Sequence, residues 1–193
     1  MIRLLIVYGA IHVNVLLVSL FLVGYLDEEL LLLLQAGFLA IMSWDWLHYG
    51  KGFSPISWKK RMVWILSSLV FMVFLSLLVR LLASEMPQNQ ETLMTVQRQV
   101  PFVSFLLFLV NASIAEEYCY RELLWEKLSK PLAQFLLTSF LFALAHHPSS
   151  PATWLSYGSL GLTLGMVRLK TDNLTSIFLH VAWNGLVLSL SLV

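Results

Sequence analysis

The chain has 193 residues, of which 59% are hydrophobic and only 12% carry a charge, and its mean hydropathy is +0.79. Soluble domains are nearer about 45–50% apolar, so this composition predicts an integral membrane protein. The net charge of +1 and the lack of a long Lys/Arg run in the sequence argue against a nucleic-acid partner. The single cysteine, Cys119, excludes an intrachain disulfide and a cysteine-based metal site.

Seven apolar segments approach or exceed the roughly 18 residues expected of a membrane-spanning helix. They lie near residues 3–26, 29–47, 62–83, 100–120, 131–147, 153–169 and 173–192. The polar stretch 84–91 predicts an exposed loop between the third and fourth spans. The predicted fold is therefore all-α, a polytopic bundle of about seven transmembrane helices. We predict a single membrane domain over residues 1–193, with N-terminal spans and the polar loop in 1–99 and a functional core in 100–193.

The basic residues predict the orientation of the chain. Ten of them fall on segments that share one side: Arg3, Lys51, Lys59, Lys60, Arg61, Arg121, Lys127, Lys130, Arg168 and Lys170. Only Arg80 and Arg98 fall on the other side. Because cytoplasmic loops are enriched in Lys and Arg, this asymmetry predicts a cytoplasmic N-terminus.

Two adjacent carboxylates and an arginine interrupt the fourth span. An ionisable side chain inside a bilayer costs roughly 2.5–3.5 kcal/mol on insertion scales, and such groups usually face a bundle interior or a wet cavity. Glu117 and Arg121 stand four residues apart on one helical face, whereas Glu116 is rotated by about 100°. The spacing predicts that Arg121 holds Glu117 while Glu116 stays free to react. A purely structural ion pair with an additional interfacial charge is the alternative.

Cys119 lies inside this charged stretch and is considered as a thiol nucleophile. A nucleophilic thiol needs an adjacent activating base. The residues that share its helical face, Ala115 and Leu123, are not bases. The sequence therefore does not favour a catalytic cysteine.

Two further spans carry histidines in apolar surroundings. Phe142 and His146 stand four apart at the end of the fifth span, and His180 and Asn184 stand four apart in the seventh. Burying such polar groups without partners would cost several kcal/mol each. We therefore expect Glu116, Glu117, Arg121, His146, His180 and Asn184 to converge.

The predicted cluster contains the groups that amide hydrolysis requires. A carboxylate beside an imidazole can hold and deprotonate water when the low dielectric makes the carboxylate a stronger base. A histidine and an asparagine one turn apart can donate hydrogen bonds to the oxyanion of a tetrahedral intermediate. Ser149 and Ser150 follow His147-Pro148 in a predicted loop and are typical of a turn rather than of a nucleophile.

Three ordered motifs give the sequence a family resemblance. They are Glu-Glu-x-x-x-Arg at 116–121, Phe-x-x-x-His at 142–146 and His-x-x-x-Asn at 180–184. Together they resemble the CAAX protease and bacteriocin-processing family, also called the Abi family, of membrane-embedded peptidases that includes the Ras-converting CAAX endopeptidase. The resemblance covers residues 100–190 approximately.

This resemblance implies a glutamate-dependent intramembrane peptidase without a cofactor. Glu116 would be the general base, His146 would help to position water, and His180 and Asn184 would form the oxyanion hole. Glu117, Arg121 and Phe142 would support these groups. The implied substrate is a membrane-associated peptide or protein, which a lipidated C-terminus, a leader peptide or a C-terminal sorting signal would all satisfy.

Two alternatives remain open at this point. Glu116, His146 and His180 could supply three ligands to a catalytic zinc ion, although the sequence lacks the His-Glu-x-x-His helix that would hold two of them locally. Alternatively, the polar groups could form an immunity or binding site, or an ion or proton pathway, although no inverted repeat is visible. The predicted location is a bacterial or archaeal cytoplasmic membrane, or the endoplasmic reticulum membrane if the protein is eukaryotic.

Straight helices with the predicted limits present a geometric difficulty. At about 1.5 Å per residue, Glu116 would lie near the cytoplasmic side and His146 near the opposite side. We therefore predict an interface-lying segment over residues 123–130, containing Trp125, that shifts His146 inward. Gly161 and Gly165 predict close helix packing. His12, Asn14 and Asp45 predict hydrogen bonds between helices rather than a second site.

Overall fold

The structure is a computed structural model that describes residues 1–50, 54–82 and 88–191, which form a helical bundle. The helices are α1 (Ile2–Leu22), α2 (Glu28–Tyr49), α3 (Trp58–Leu82), α4 (Gln88–Gln99), α5 (Phe102–Tyr118), α6 (Pro131–Ala145), α7 (Pro151–Lys170) and α8 (Asn173–Ser191). The protein is an all-α polytopic membrane bundle, as its sequence predicts.

Each of the seven predicted spans coincides with a helix, but the helices are not equivalent. In the described part of the chain, five are long and apolar enough to cross a membrane: α1, α2, α3, the segment Phe102–Lys127 and α8. α6 is apolar but has only 15 residues, and α7 has the length but a more polar composition. The full span predicted for α6 is therefore an overestimate, which later bears on the position of His146.

The predicted loop over residues 84–91 is only partly tested. Residues 83–87 lie outside the described residues, whereas residues from Gln88 onward belong to α4, so the loop prediction is wrong there. Polar composition suggested a loop, but Leu93 and Val96, three residues apart, present an apolar stripe. They pack against a cluster that includes Val18 and Leu188. This packing explains why a polar segment is helical.

The fourth span does not end near residue 120. α5 continues through a π-helical turn (Cys119–Leu124) and a 3₁₀ turn (Trp125–Lys127), so that Phe102–Lys127 forms one span. The predicted interface-lying segment is therefore wrong. Trp125 is buried, and the guanidinium carbon of Arg168 lies 5.5 Å from its ring centroid. A tryptophan that packs inside the bundle cannot serve as an interfacial anchor.

The lengths of the span Phe102–Lys127 and of α6 explain how Glu116 and His146 can lie close together. Glu116 lies 11 positions before the end of its span, about 16 Å of helix, and therefore sits in the interior of the bundle. α6 rises only about 22 Å, less than the ~30 Å hydrocarbon thickness, so His146 at its end also stays at membrane depth.

The two ends of the bundle are held together differently. At the end that contains the N-terminus, hereafter the near end, Arg3 Nε lies 3.6 Å from Asp45 Oδ2, and Arg61 pairs with Asp172. At the opposite end, hereafter the far end, Val18, Leu31, Phe105 and other apolar side chains form a cluster. Ion pairs therefore join the helices at the near end, and apolar packing joins them at the far end.

Asp172 joins α3 to the start of α8. Its carboxylate accepts hydrogen bonds from Arg61, from the Ser54 backbone N–H at 3.0 Å and from the Thr175 hydroxyl at 2.7 Å. Burial alone would raise the pKa of Asp172, but these donors hold the pKa below its ordinary value. An ionised Asp172 thus caps α8 and anchors Arg61.

α6 and α7 approach each other closely at the predicted glycines. A Cβ atom at Gly161 would lie 2.7 Å from the Ser139 backbone oxygen, and one at Gly165 would lie 2.7 Å from the Ser139 Oγ. The predicted packing role of both glycines is confirmed. The Gly161 carbonyl is also an acceptor in the site described next.

Candidate active site

Glu117 is the centre of a buried charge network. Its side chain is fully buried and lies between α5 and α8. One carboxylate oxygen lies 3.2 Å from His180 Nδ1, and the other accepts a hydrogen bond from the Ser176 hydroxyl. Arg121 Nε lies 3.8 Å from the same carboxylate, so the predicted i,i+4 pair is present. The Glu117 carboxylate is therefore held by three side chains, those of His180, Ser176 and Arg121.

Arg121 connects the network to α6 and α7. Its Nη2 donates to the Gly161 carbonyl at 2.9 Å, and the Ser139 hydroxyl donates to the same oxygen at 2.8 Å. Its guanidinium carbon lies 4.5 Å from the centroid of the Phe142 ring. A charged group at membrane depth is thereby compensated by a carboxylate, a carbonyl and an aromatic face.

Glu116 lies in a different environment from its neighbour. It is partly exposed, and its Oε2 lies 4.0 Å from His146 Nε2. That oxygen is buried and accepts no hydrogen bond from any residue that the structure describes. The separation is beyond direct hydrogen bonding and is short enough for one water molecule to touch both atoms.

His146 is fixed in one orientation by its own helix. Its Nδ1 lies 2.8 Å from the Phe142 carbonyl oxygen. Because a carbonyl only accepts hydrogen bonds, Nδ1 carries the proton, and Nε2 of the neutral ring is an acceptor facing Glu116. The ring also stacks on Tyr157, with centroids 4.4 Å apart.

His180 and Asn184 project from the same side of α8, as their spacing predicts. His180 is buried, and its ring lies 5.7 Å from the Phe142 ring. Asn184 Nδ2 donates to the Ser113 hydroxyl at 3.0 Å, and Ser113 donates to the Leu109 carbonyl at 2.8 Å. One amide proton of Asn184 is therefore used by Ser113, and the second is available for another acceptor.

Phe142 joins the parts of the cluster. Its fully buried ring contacts the His146 ring at 4.6 Å, the His180 ring at 5.7 Å and the Arg121 guanidinium. The predicted residues thus form two connected sets, Glu116 with His146 and Glu117 with Arg121 and His180. Asn184 extends the second set by one turn of α8.

Sequence reasoning missed the residues that orient this cluster. Ser176, His180 and Asn184 repeat every four positions along α8, and this pattern could have identified Ser176. Ser113 lies four positions before Glu117, and the same argument applies to it. The Gly161 carbonyl carries no side-chain signal, so its role as an acceptor required the tertiary structure.

Comparisons with known proteins support one family. Residues 98–186 match the family model described as Type II CAAX prenyl endopeptidase Rce1-like. The chain is also similar to the UPF0177 protein YvdC of Lactococcus lactis subsp. lactis, with 33% identity over 109 residues. The C-terminal part of the chain, residues 98–186, is therefore similar to Type II CAAX prenyl endopeptidases of the Rce1-like family. The alignment covers 54% of the chain and 42% of the relative, so the chain spans less than half of that relative's length. No solved structure matches the chain.

The matched region contains every motif on which the resemblance was based. Residues 98–186 include all of α5 to α7 and most of α8, and therefore Glu116, His146 and Asn184. The similarity to this family thus lies in the part of the chain that carries the buried network. The spans α1 to α3 lie outside the match.

The other predicted polar residues stay outside this cluster. Asn14 Nδ2 donates to the Phe108 carbonyl at 3.0 Å, and Asp45 accepts from the Tyr118 hydroxyl at 2.7 Å, as predicted for contacts between helices. His12 is exposed and packs against Tyr8 of its own helix, so the predicted interhelical role is wrong for this residue. Cys119 is buried.

The three candidate zinc ligands do not all face one point. Glu116 and His146 face each other, but the Nδ1 atom of His180 is directed at Glu117 rather than at that pair. Across residues 1–50, 54–82 and 88–191, no group of three or more His, Cys, Asp or Glu side chains is arranged to hold a metal ion.

Proposed function

We propose that the protein is an intramembrane endopeptidase that hydrolyses a peptide bond with a water molecule activated by Glu116. The observation that carries this proposal is the Glu116 carboxylate oxygen, buried without a hydrogen-bond donor and 4.0 Å from His146 Nε2. The neighbouring carboxylate, by contrast, is fully committed to other residues. One glutamate therefore supports the fold while the other is available for chemistry.

Two acceptors suit the activation of water. Glu116 Oε2 and neutral His146 Nε2 can each accept one proton of the same water molecule, which leaves an oxygen lone pair for the attack on the carbonyl carbon. Glu116 removes a proton as the C–O bond forms. When the C–N bond breaks, Glu116 returns this proton to the leaving amine.

The oxyanion of the tetrahedral intermediate would be stabilised from α8. Asn184 offers the amide proton that Ser113 does not use. The Nδ1 atom of His180 faces Glu117. When both ring nitrogens of His180 carry a proton, Glu117 is the counter-ion of the ring and Nε2 can donate to the oxyanion. A single donor of this kind is typically worth about 3–4 kcal/mol in the transition state.

The substrate in this proposal is a membrane-associated peptide or protein, lipidated or not, that reaches a site at membrane depth. The matching family model is described as a Type II CAAX prenyl endopeptidase. Leader peptides and C-terminal sorting signals present the same chemistry, a peptide bond next to an apolar anchor. The catalytic core in residues 100–193 would act on any of these from within the bilayer.

The decisive experiment compares Glu116→Gln with Glu29→Gln in membranes that contain the full chain. Gln keeps the size of the side chain but cannot accept the water proton, so Glu116→Gln is expected to abolish cleavage. Glu29 is an exposed carboxylate at the far end and serves as the matched control. Peptides that accumulate only with the inactive variant would identify the substrate.

His146→Ala and Asn184→Ala are expected to lower cleavage without loss of accumulated protein. Cleavage retained by Glu116→Gln would refute the proposal, and a cellular phenotype retained without any cleavage would favour the binding alternative. Loss of activity with a chelator, restored by zinc, would favour the metalloprotease alternative over the proposed mechanism.

A further inference from the structure

A small cavity lies beside His146 at the far end of the bundle. Its volume is about 200 Å³, and its walls include Thr92, His146, Ser149, Thr153 and Tyr157. The walls thus come from α4, from the connection between α6 and α7, and from α7. The imidazole that faces Glu116 is therefore also a wall of an opening to the outside.

The length of α6 places this opening in a depression. α6 starts after Lys130 at the near end and rises only about 22 Å, so the connection at 146–150 stays below the far surface of a ~30 Å hydrocarbon layer. A peptide that enters from the far end therefore reaches His146 without crossing the whole membrane.

Between Glu116 and the near end, buried side chains fill the interior of the bundle. Tyr120, Arg121, Glu122 and Trp125 follow Glu116 toward the near end, and each is at most 6% exposed. Arg168 closes this region further, because its Nε donates to the Arg121 carbonyl at 2.7 Å. Among the residues that the structure describes, the packing therefore leaves the far end as the open direction.

The charges of the described loops and helix ends indicate which side this is. The near end carries Arg3, Lys59, Lys60, Lys127, Lys130, Arg168 and Lys170, whereas the far end carries Arg80 and Arg98. Because positively charged segments stay on the cytoplasmic side, the near end is cytoplasmic. The cavity beside His146 accordingly faces the other compartment.

We propose that the substrate enters from the non-cytoplasmic face, through the cavity beside His146. This inference rests on the proposed peptidase function and narrows its substrate class. The substrates are segments of membrane-anchored or translocated polypeptides that are exposed on that face. A prenylated C-terminus that remains in the cytoplasm does not reach this opening.

Two serines at the opposite ends of α6 allow a matched test. Ser149 borders the cavity, Ser129 precedes α6 at the near end, and both are exposed. Ser149→Cys and Ser129→Cys are introduced separately into the full chain, and a membrane-impermeant maleimide is added to right-side-out and inside-out vesicles. The natural Cys119 is buried, so the parent chain provides the unlabelled control.

Ser149→Cys is expected to react in right-side-out vesicles and Ser129→Cys in inside-out vesicles. Reaction of Ser129→Cys in right-side-out vesicles, or equal reaction of both positions there, would overturn the proposal. After labelling, cleavage by Ser149→Cys is expected to fall about tenfold because a bulky group blocks the approach to the site, whereas labelled Ser129→Cys keeps its activity.

The labelling and the cleavage measurements distinguish a failure of this inference from a failure of the proposed function. Labelling reports the orientation without any need for activity. If Ser149→Cys reacts as expected but its cleavage is unchanged, the entry route is wrong while the orientation stands. If the unmodified parent chain cleaves no membrane peptide, the proposed function fails instead.

Discussion

The first three spans and the helices after them use their side chains in different ways. Of the most apolar stretch of each span, 17% is buried in α1 and 22% in α2 and in α3, but 44% is buried in Phe102–Lys127. An apolar side chain can face lipid at little cost, so α1 to α3 need few internal contacts. A charged side chain cannot, and the helices that carry Glu117 and Arg121 are therefore packed around them.

The N-terminal spans still act on the core through its backbone. Gln35 Nε2 on α2 donates to the Ser104 carbonyl at 3.1 Å, and Asn111 Nδ2 on α5 donates to the Gln35 carbonyl at 3.1 Å. These contacts hold α5 at Ser104 and at Asn111, on the N-terminal side of Glu116. The first half of the chain thus fixes the position of the helix that carries the site, although it contributes no motif to the site.

Removing a buried charge should give the largest difference between the two regions. Arg121→Ala leaves Glu117 without its arginine, and breaking a buried pair typically costs about 3–5 kcal/mol. Arg80→Ala removes an exposed arginine at the end of α3 and is expected to cost less than about 0.5 kcal/mol. Thermal unfolding in detergent measures both. Equal losses would show that the two regions do not differ in this way.

If Arg121→Ala fails to accumulate, Arg121→Lys still tests the prediction. A lysine keeps the positive charge beside Glu117 but loses the planar group that reaches both the carboxylate and the Gly161 carbonyl. We expect a stability between those of the parent chain and of Arg121→Ala. A lysine variant as stable as the parent would contradict the geometric part of the argument.

A pair of leucines compares the regions with the same substitution. Leu179 on α8 is fully buried, whereas Leu33 on α2 is 68% exposed. Leu179→Ala should cost about 2–3 kcal/mol because it leaves a cavity, although transfer from water contributes little inside a membrane. Leu33→Ala should leave the unfolding temperature nearly unchanged. A larger loss for Leu33→Ala would mean that α2 packs against another surface.

Two glycines on α7 give the smallest and most local test. A Cβ atom at Gly161 would meet the Ser139 backbone oxygen at 2.7 Å and a Phe142 ring carbon at 3.2 Å, whereas one at Gly158 would meet nothing within 4 Å. Gly161→Ala should therefore destabilise the protein by about 1–2 kcal/mol through overpacking.

Gly158→Ala serves as the control for the same helix. It should be neutral, or more stable by up to about 1 kcal/mol, because alanine favours a helix over glycine. Because Phe142 contacts His146 and His180, Gly161→Ala should also lower the cleavage rate proposed above, while Gly158→Ala should not. An active Gly161→Ala variant with parental stability would contradict the close packing.

Local contacts within helices were predictable because helical geometry is periodic. Glu117 and Arg121 pair across one turn, and His180 and Asn184 project from the same side of α8, as their spacing requires. The positions of seven apolar helices also follow from hydropathy, since a bilayer demands long apolar segments. These predictions need only the order of residues along one helix.

Contacts between helices depend on where each helix ends, and the sequence alone did not predict the ends of the fourth span and of α6 correctly. The fourth span was predicted to end near residue 120, but the charged residues that follow, Arg121 and Glu122, are buried inside the bundle. An extra 3₁₀ turn and a π-helical turn carry the span to Lys127. Only this continuation, together with the short α6, brings Glu116 to within 4.0 Å of His146.

The sequence by itself determined the membrane class, the positions of the apolar helices and the side chains available for chemistry, because these depend on composition and on spacing within single helices. Only the tertiary structure decided that Ser176 and His180 join Arg121 around the Glu117 carboxylate, and that a Glu116 oxygen lies 4.0 Å from His146 Nε2. The physical reason is that a buried charge is stable only where other groups compensate it, and here those groups come from helices far apart in the chain.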